Sequence, residues 1–141
     1  MRLQMSSRSL SDLNLIVMNK CLAHITACKN EGIDLIVTCT YRTPEEQNVL
    51  YAQGRTAPGS IVTDAKAGQS MHQYHLAYDC VPVVNGKALW DASSPIWAKV
   101  GALGKAQGME WGNDWVEFKE CPHFQYTGGH PLSYFEGGGT L

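Results

Sequence analysis

No stretch of this sequence stays apolar for the roughly 20 residues a membrane-spanning helix needs. The opening MRLQMSSRSLSDLNLIVMNK also lacks the unbroken apolar core of a secretory signal. A soluble product made in the cytoplasm, without stable membrane insertion, is therefore expected. Excess charge is missing too: 11 Lys and Arg stand against 13 Asp and Glu, a net charge of -2 with a pI near 6.2. Without a basic stripe, nucleic acid is not expected as a partner. The five cysteines (Cys21, Cys28, Cys39, Cys80, Cys121) are odd in number and lack the short paired spacing of a zinc knuckle or redox motif. Reduced, buried or half-buried thiols are expected. No internal repeat and no linker-like segment divides the chain.

What is present is an ordinary globular composition, 44% hydrophobic and 17% charged. At 141 residues, one core burying about two-thirds of the unfolded surface suffices. Residues 1–136 are read as one domain and 137–141 as a frayed Gly-rich tail. Ser9 and Ser11 precede Leu13, Ile16, Val17, Cys21, Leu22, Ile25 and Cys28 at helical spacing, with Gly32 as the stop. IDLIVTCT (33–40) reads as a buried strand. Thr43 caps a second helix, with Pro44 at its first position and Glu45 and Glu46 in its first turn. Residues 55–70 form a long loop of the kind that often carries function. Residues 76–84 read as a strand, followed by the turn pair Asn85-Gly86. A helix fits 94–107, and 111–125 returns a strand or hairpin.

Two segments concentrate chemistry: Ser70-Met-His-Gln-Tyr-His-Leu-Ala-Tyr-Asp79 and Glu120-Cys-Pro-His-Phe-Gln125. A catalytic zinc wants three His or carboxylate ligands and leaves a fourth place for water, and His72, Asp79 and His123 supply such a set. The separation of seven between His72 and Asp79 would put them on opposite faces of one straight strand, so the chain must bend between them. Pro122 favours an extended Cys121 and a turn that aims Glu120 and His123 into one cleft. Glu120 can then take a proton from water acidified by the metal. Other assignments stay open on spacing alone. His72 and His75 could pair on a helix, Cys80 and Cys121 could build a structural zinc site, His123 could be a satisfied, partly buried ring, and Asp79 could simply close a strand.

The ordered segments Tyr41-Arg-Thr-Pro-Glu-Glu-Gln47, Leu50-Tyr-Ala-Gln-Gly-Arg55, Pro58-Gly-Ser-Ile-Val-Thr63, Ser70-x-His-Gln-Tyr74, Leu76-Ala-Tyr-Asp79 and Pro122-His-Phe-Gln125 span most of residues 36–126. Their run resembles the zinc metallopeptidase family of D-alanyl-D-alanine carboxypeptidases and phage L-alanyl-D-glutamate endopeptidases. The resemblance implies an α+β fold, a small single domain in which an antiparallel sheet is flanked by about three helices, of the hedgehog/D,D-peptidase type. It implies Zn2+ on His72, Asp79 and His123, Glu120 as the catalytic acid and base, and Arg42 facing the oxyanion. Ser70 and Gln47 fall at positions near substrate. The phage enzymes often carry Asp where Glu120 stands, and Glu gives the same group a longer reach.

The implied activity is endolysin-like cleavage of the L-alanyl-D-glutamate bond in the peptidoglycan stem peptide by a monomer released to the periplasm with the help of a separate holin-type protein. A D-Ala-D-Ala carboxypeptidase and a silent zinc-stabilised wall-binding module are the competing readings. His75 departs from the motif, which usually has Gly there, pointing to a special backbone angle. Asn113, Asp114 and Glu117 give weak grounds for a second cation such as calcium. His24 reads as a helix-face residue and His130 as a loop residue without a role. Trp90, Trp97, Trp111 and Trp115 are candidates for core or cleft wall.

Overall fold

A computed structural model describes residues 6–141. Helix α1 (Leu15–Asn30) is capped by Asn14, whose side chain accepts from Ile16 N at 2.8 Å, rather than by Ser9 or Ser11. A short 3-10 turn, Leu10–Asp12, precedes it. Strand β1 (Asp34–Cys39) leads to helix α2 (Pro44–Ala52). At the start of α2, Thr43 and Glu46 satisfy each other's backbone N–H groups in a capping box. The loop 55–70 ends in a 3-10 turn, Met71–Tyr74, before strand β2 (Ala77–Val84). Asn85 and Gly86, both at positive φ, turn β2 into β3 (Lys87–Ala88).

Helix α3 (Pro95–Lys105), capped by Ser94, is followed by β4 (Glu110–Trp111) and β5 (His123–Gln125). The helix α4 (Leu132–Glu136) has no forecast in the sequence pattern; at five residues it is too short to show a period. The tail lies back on α4, with Tyr134 Oη donating to Thr140 O at 2.6 Å.

The sheet is antiparallel, ordered β1-β2-β5-β4, with β3 paired to β2. Its two faces divide the labour, because strand side chains alternate. Tyr78, Phe124 and Trp111 face α1 and α3 and form the core with Val17, Cys21, Trp97 and Val100. His24 is fully buried there, bridging Tyr78 Oη at 2.7 Å and Val100 O at 2.8 Å, so it is a core histidine rather than a helix-face residue. Asp79, His123, Gln125 and Glu110 occupy the alternate positions and point to the other face. Strand β1 is not the fully buried strand its composition suggests. It is the sheet's edge, and Ile36 is 48% exposed.

Close packing of α3 fixes how near the helix lies to the sheet. A Cβ on Gly104 would stand 2.5 Å from Phe124 and 2.9 Å from His24. Alanine there would gain about 1 kcal/mol of helix propensity, but overpacking costs about 1–3 kcal/mol. Gly104→Ala is therefore expected to lower the denaturant midpoint of unfolding; an unchanged or raised midpoint would show that the sheet yields freely.

Candidate metal and catalytic site

On the face opposite α1 and α3, antiparallel pairing sets Asp79 directly beside His123. His72 arrives from the 3-10 turn, and the bend its spacing demands is made at His75, which sits at φ 62° in the left-handed region. The usual Gly at this position has its reason in that angle. His75 holds it with Nδ1 2.6 Å from Asp12 O and its ring stacked on Tyr41 at 4.3 Å. It faces outward and touches none of the proposed ligands.

Three atoms meet where the two segments join. His72 Nε2 lies 3.2 Å and His123 Nδ1 3.4 Å from Asp79 Oδ1, and both rings are nearly inaccessible, at 1% and 3%. The opposite nitrogens are occupied: His72 Nδ1 is 2.8 Å from Thr40 O, and His123 Nε2 is 2.8 Å from Gln125 Oε1. Since a carbonyl oxygen accepts, Nδ1 of His72 and Nε2 of His123 are the protonated nitrogens. The two remaining lone pairs then aim at a carboxylate, and His123 Nδ1 is buried with no hydrogen-bond partner. Converging acceptors of this kind suit a cation, and the donor set is that of a catalytic zinc.

Cys39 is a functional neighbour that composition alone did not reveal. Its Sγ lies within 4.8 Å of ligand atoms of His72 and Asp79. The β-bulge between Val37 and Cys39 turns it to this face. Yet the sulfur sits 3.7 Å from His72 Nδ1, the nitrogen bound to Thr40 O, and 3.5 Å from Arg42 Nη2. It therefore lies behind the imidazole, away from the nitrogen that faces Asp79, and His123 is the better third ligand.

Arg42 Nη2 is 3.4 Å from Asp79 Oδ2, and its Nη1 donates to Gln47 Oε1 at 3.0 Å. Gln47 is fully buried and also donates to Ala65 O at 2.8 Å. It holds Arg42 and the 55–70 loop rather than opening onto a cleft. Ser70 caps the 3-10 turn by accepting from His72 N at 3.3 Å and also lines the cleft. Glu120 is brought to the metal side by a tight approach: a Cβ on Gly112 would stand 2.4 Å from Glu120 O. Burial raises the Glu120 carboxyl above its usual range, against the pull of His123.

A cleft of about 690 Å3 opens on the Glu120 and His123 side of the site, walled also by Thr63, Ser70, Trp115 and Phe118. Trp115 covers the His123 ring at 5.0 Å. Trp111 and Trp97 belong to the core, and Trp90 is exposed. Asp114 pairs with Lys105 at 2.9 Å instead of converging with Glu117. His130 stacks on Tyr134 at 3.9 Å.

Residues 63–126 match the family described as D-alanyl-D-alanine carboxypeptidase. The peptidoglycan L-alanyl-D-glutamate endopeptidase CwlK of Bacillus subtilis is 40% identical over 123 residues, 82% of this chain and 74% of the relative. This chain is a member of that peptidase family. The L-alanyl-D-glutamate peptidase of Listeria phage A118 is 32% identical over 128 residues, covering 86% of this chain but 41% of the phage protein. Among solved structures, the vancomycin resistance D,D-pentapeptidase VanY in complex with Zn(II) shares the fold, with a TM-score of 0.60 at 18% identity. That match covers 81% of this chain and 72% of VanY. The metallopeptidase family and its small α+β domain are thus those the sequence segments imply, and family membership makes the chain a metal-dependent hydrolase.

Protonation of the site is set by paired charges working against burial. Burial disfavours a charged His72 ring, but the Asp79 carboxylate outweighs it and pushes the imidazole up to about 10. Burial likewise opposes charge on Asp79, yet His72 and His123 hold it well below its usual range. The raised His72 stabilises the metal-free fold fully below 6.5, and this is lost as pH rises through about 10. The depressed Asp79 stabilises above 3.8, and this is lost as pH falls through its lowered value. A metal on Nε2 must displace the His72 proton, so its affinity should rise about tenfold per pH unit between pH 6 and 8. Calorimetric titration at several pH values checks this, and a pH-independent affinity would count against His72 as a ligand.

Proposed function

We propose that this chain is a zinc-dependent peptidoglycan endopeptidase of the endolysin type, hydrolysing the L-alanyl-D-glutamate bond of the stem peptide. The observation that carries the reading is the meeting of His72 Nε2, His123 Nδ1 and Asp79 Oδ1, with His123 and Glu120 lining an open cleft. The names of the Bacillus and Listeria phage relatives support the choice of bond. His72, Asp79 and His123 would hold the zinc, which when bound supplies a Lewis acid for the scissile carbonyl and acidifies water.

The remaining chemistry belongs to the chain. Glu120, whose carboxyl is raised by burial, accepts the proton of the attacking water and returns it to the leaving amine. Arg42, fixed by Gln47, presents a permanent positive charge to the developing oxyanion. Ser70 fixes the turn bearing His72 and, with Thr63 and Trp115, forms wall against which a peptide lies. Arg55 organises that wall, donating to Tyr51 O at 2.7 Å and Thr63 O at 3.0 Å. Among the described residues no helix is long and apolar enough to cross a membrane. Synthesis in a host cytoplasm, release through a holin-type lesion and action as a monomer on the wall complete the proposal.

Glu120→Gln is expected to lower turnover of purified Gram-negative peptidoglycan by about 10²–10⁴-fold. Zinc stoichiometry should stay at the wild-type value, and full activity in this variant would remove Glu120 from the mechanism. Chelation should abolish release of new amino termini, and zinc add-back should restore it. A new amino-terminal Glu identifies the endopeptidase, whereas released D-Ala would move the assignment to a D-Ala-D-Ala carboxypeptidase. No release with zinc bound would favour a silent wall-binding module.

A further inference from the structure

His72 and His123 are oriented by different means. The partner of His72 is a backbone carbonyl, Thr40 O, which offers only an acceptor. The partner of His123 is the Gln125 amide, which presents either an oxygen or an NH2 group depending on how it is turned. If the NH2 faced His123, it would donate to Nε2 and force the ring proton onto Nδ1, blocking the nitrogen that faces Asp79. Something must fix the amide.

Glu110 does so. Strand β4 pairs with β5 so that Glu110 stands directly opposite Gln125, on the same face as Asp79 and His123. Gln125 Nε2 donates to Glu110 Oε2 at 3.1 Å, and Thr127 Oγ1 donates to Glu110 Oε1 at 3.4 Å. A carboxylate offers acceptors only, so it takes the NH2 end of Gln125 and leaves the oxygen end for His123.

We infer that the Glu110–Gln125 pair is a positioning relay that sets the tautomer of His123 and thereby prepares Nδ1 for the metal. This rests on the proposed zinc site. Gln125 also lines the cleft and Glu110 does not; both reach the metal position through His123. The chain of contacts carboxylate, amide, imidazole extends the outer partner of a ligand histidine by one residue. Gln125 was visible in the motif Pro122-His-Phe-Gln125 but Glu110, fifteen residues earlier, becomes its neighbour only through strand pairing.

A swap tests the relay. Zinc affinity of purified wild-type protein, Gln125→Leu, Glu110→Gln and the double variant Glu110→Gln/Gln125→Glu is measured by competition with a chromophoric chelator, alongside thermal unfolding of each metal-free protein. Gln125→Leu removes the acceptor, and zinc affinity should fall about 10–100-fold. Glu110→Gln frees the amide to turn and should lower affinity in the same direction. In the double variant, a carboxylate at 125 accepts from His123 and an amide at 110 donates to it, so affinity should return to within about threefold of wild type. A merely structural role for Glu110 would not predict that reversal. Wild-type affinity in both single variants, or a double variant no better than Glu110→Gln while its metal-free form unfolds at the wild-type temperature, would overturn the relay. Absence of zinc binding by the wild type would instead overturn the metal site itself.

Discussion

The rest of the structure depends on one electrostatic constraint: two imidazole nitrogens are held against a single carboxylate oxygen inside a protein wall. His72 and His123 reach Asp79 Oδ1 at 3.2 and 3.4 Å, with almost no water around either ring. In metal-free protein a proton on His72 relieves the arrangement, which is why Asp79 pushes that imidazole up to about 10. A divalent cation relieves it more completely, since it answers all three acceptors at once. The surrounding acceptors, Thr40 O for His72, Gln125 Oε1 for His123 and Glu110 Oε2 for the Gln125 amide, keep the other ring nitrogens pointed inward.

The sheet makes this possible by separating stability from chemistry. Its helix face is filled by Tyr78, Phe124, Trp111 and His24, packed so tightly that α3 needs glycines at 101 and 104. The adjacent residues of the same strands, Asp79, His123, Gln125 and Glu110, are thereby held rigid on the opposite face. Strand pairing sets Asp79 beside His123, and the 3-10 turn capped by Ser70 brings His72 to them. Side chains held on paired strands and on a capped turn give a metal site the rigid support it needs.

Much of this was legible in the sequence because it is local. Thr43 and Glu46 announce a capping box, Asn85-Gly86 a tight turn, and the odd separation of His72 from Asp79 a bend, which the left-handed His75 provides. The motif segments around His72, Asp79, Glu120 and His123 carried the family. What was not legible depends on pairing between distant segments. The burial of His24, the edge position of β1, the bulge that brings Cys39 behind His72, and the register that sets Glu110 against Gln125 all arise from tertiary contacts with no local signal. Gln47, placed by resemblance near substrate, is fully buried and spends its amide on Arg42 and Ala65, a role only the fold reveals.

The most direct measurement of the metal site is X-ray absorption at the zinc edge of the reconstituted protein. Coordination by His72, His123 and Asp79 predicts a shell of nitrogen and oxygen scatterers at about 2.0–2.1 Å with histidine multiple scattering and no sulfur. A sulfur scatterer at about 2.3 Å would contradict it, placing Cys39 rather than His123 in the coordination shell.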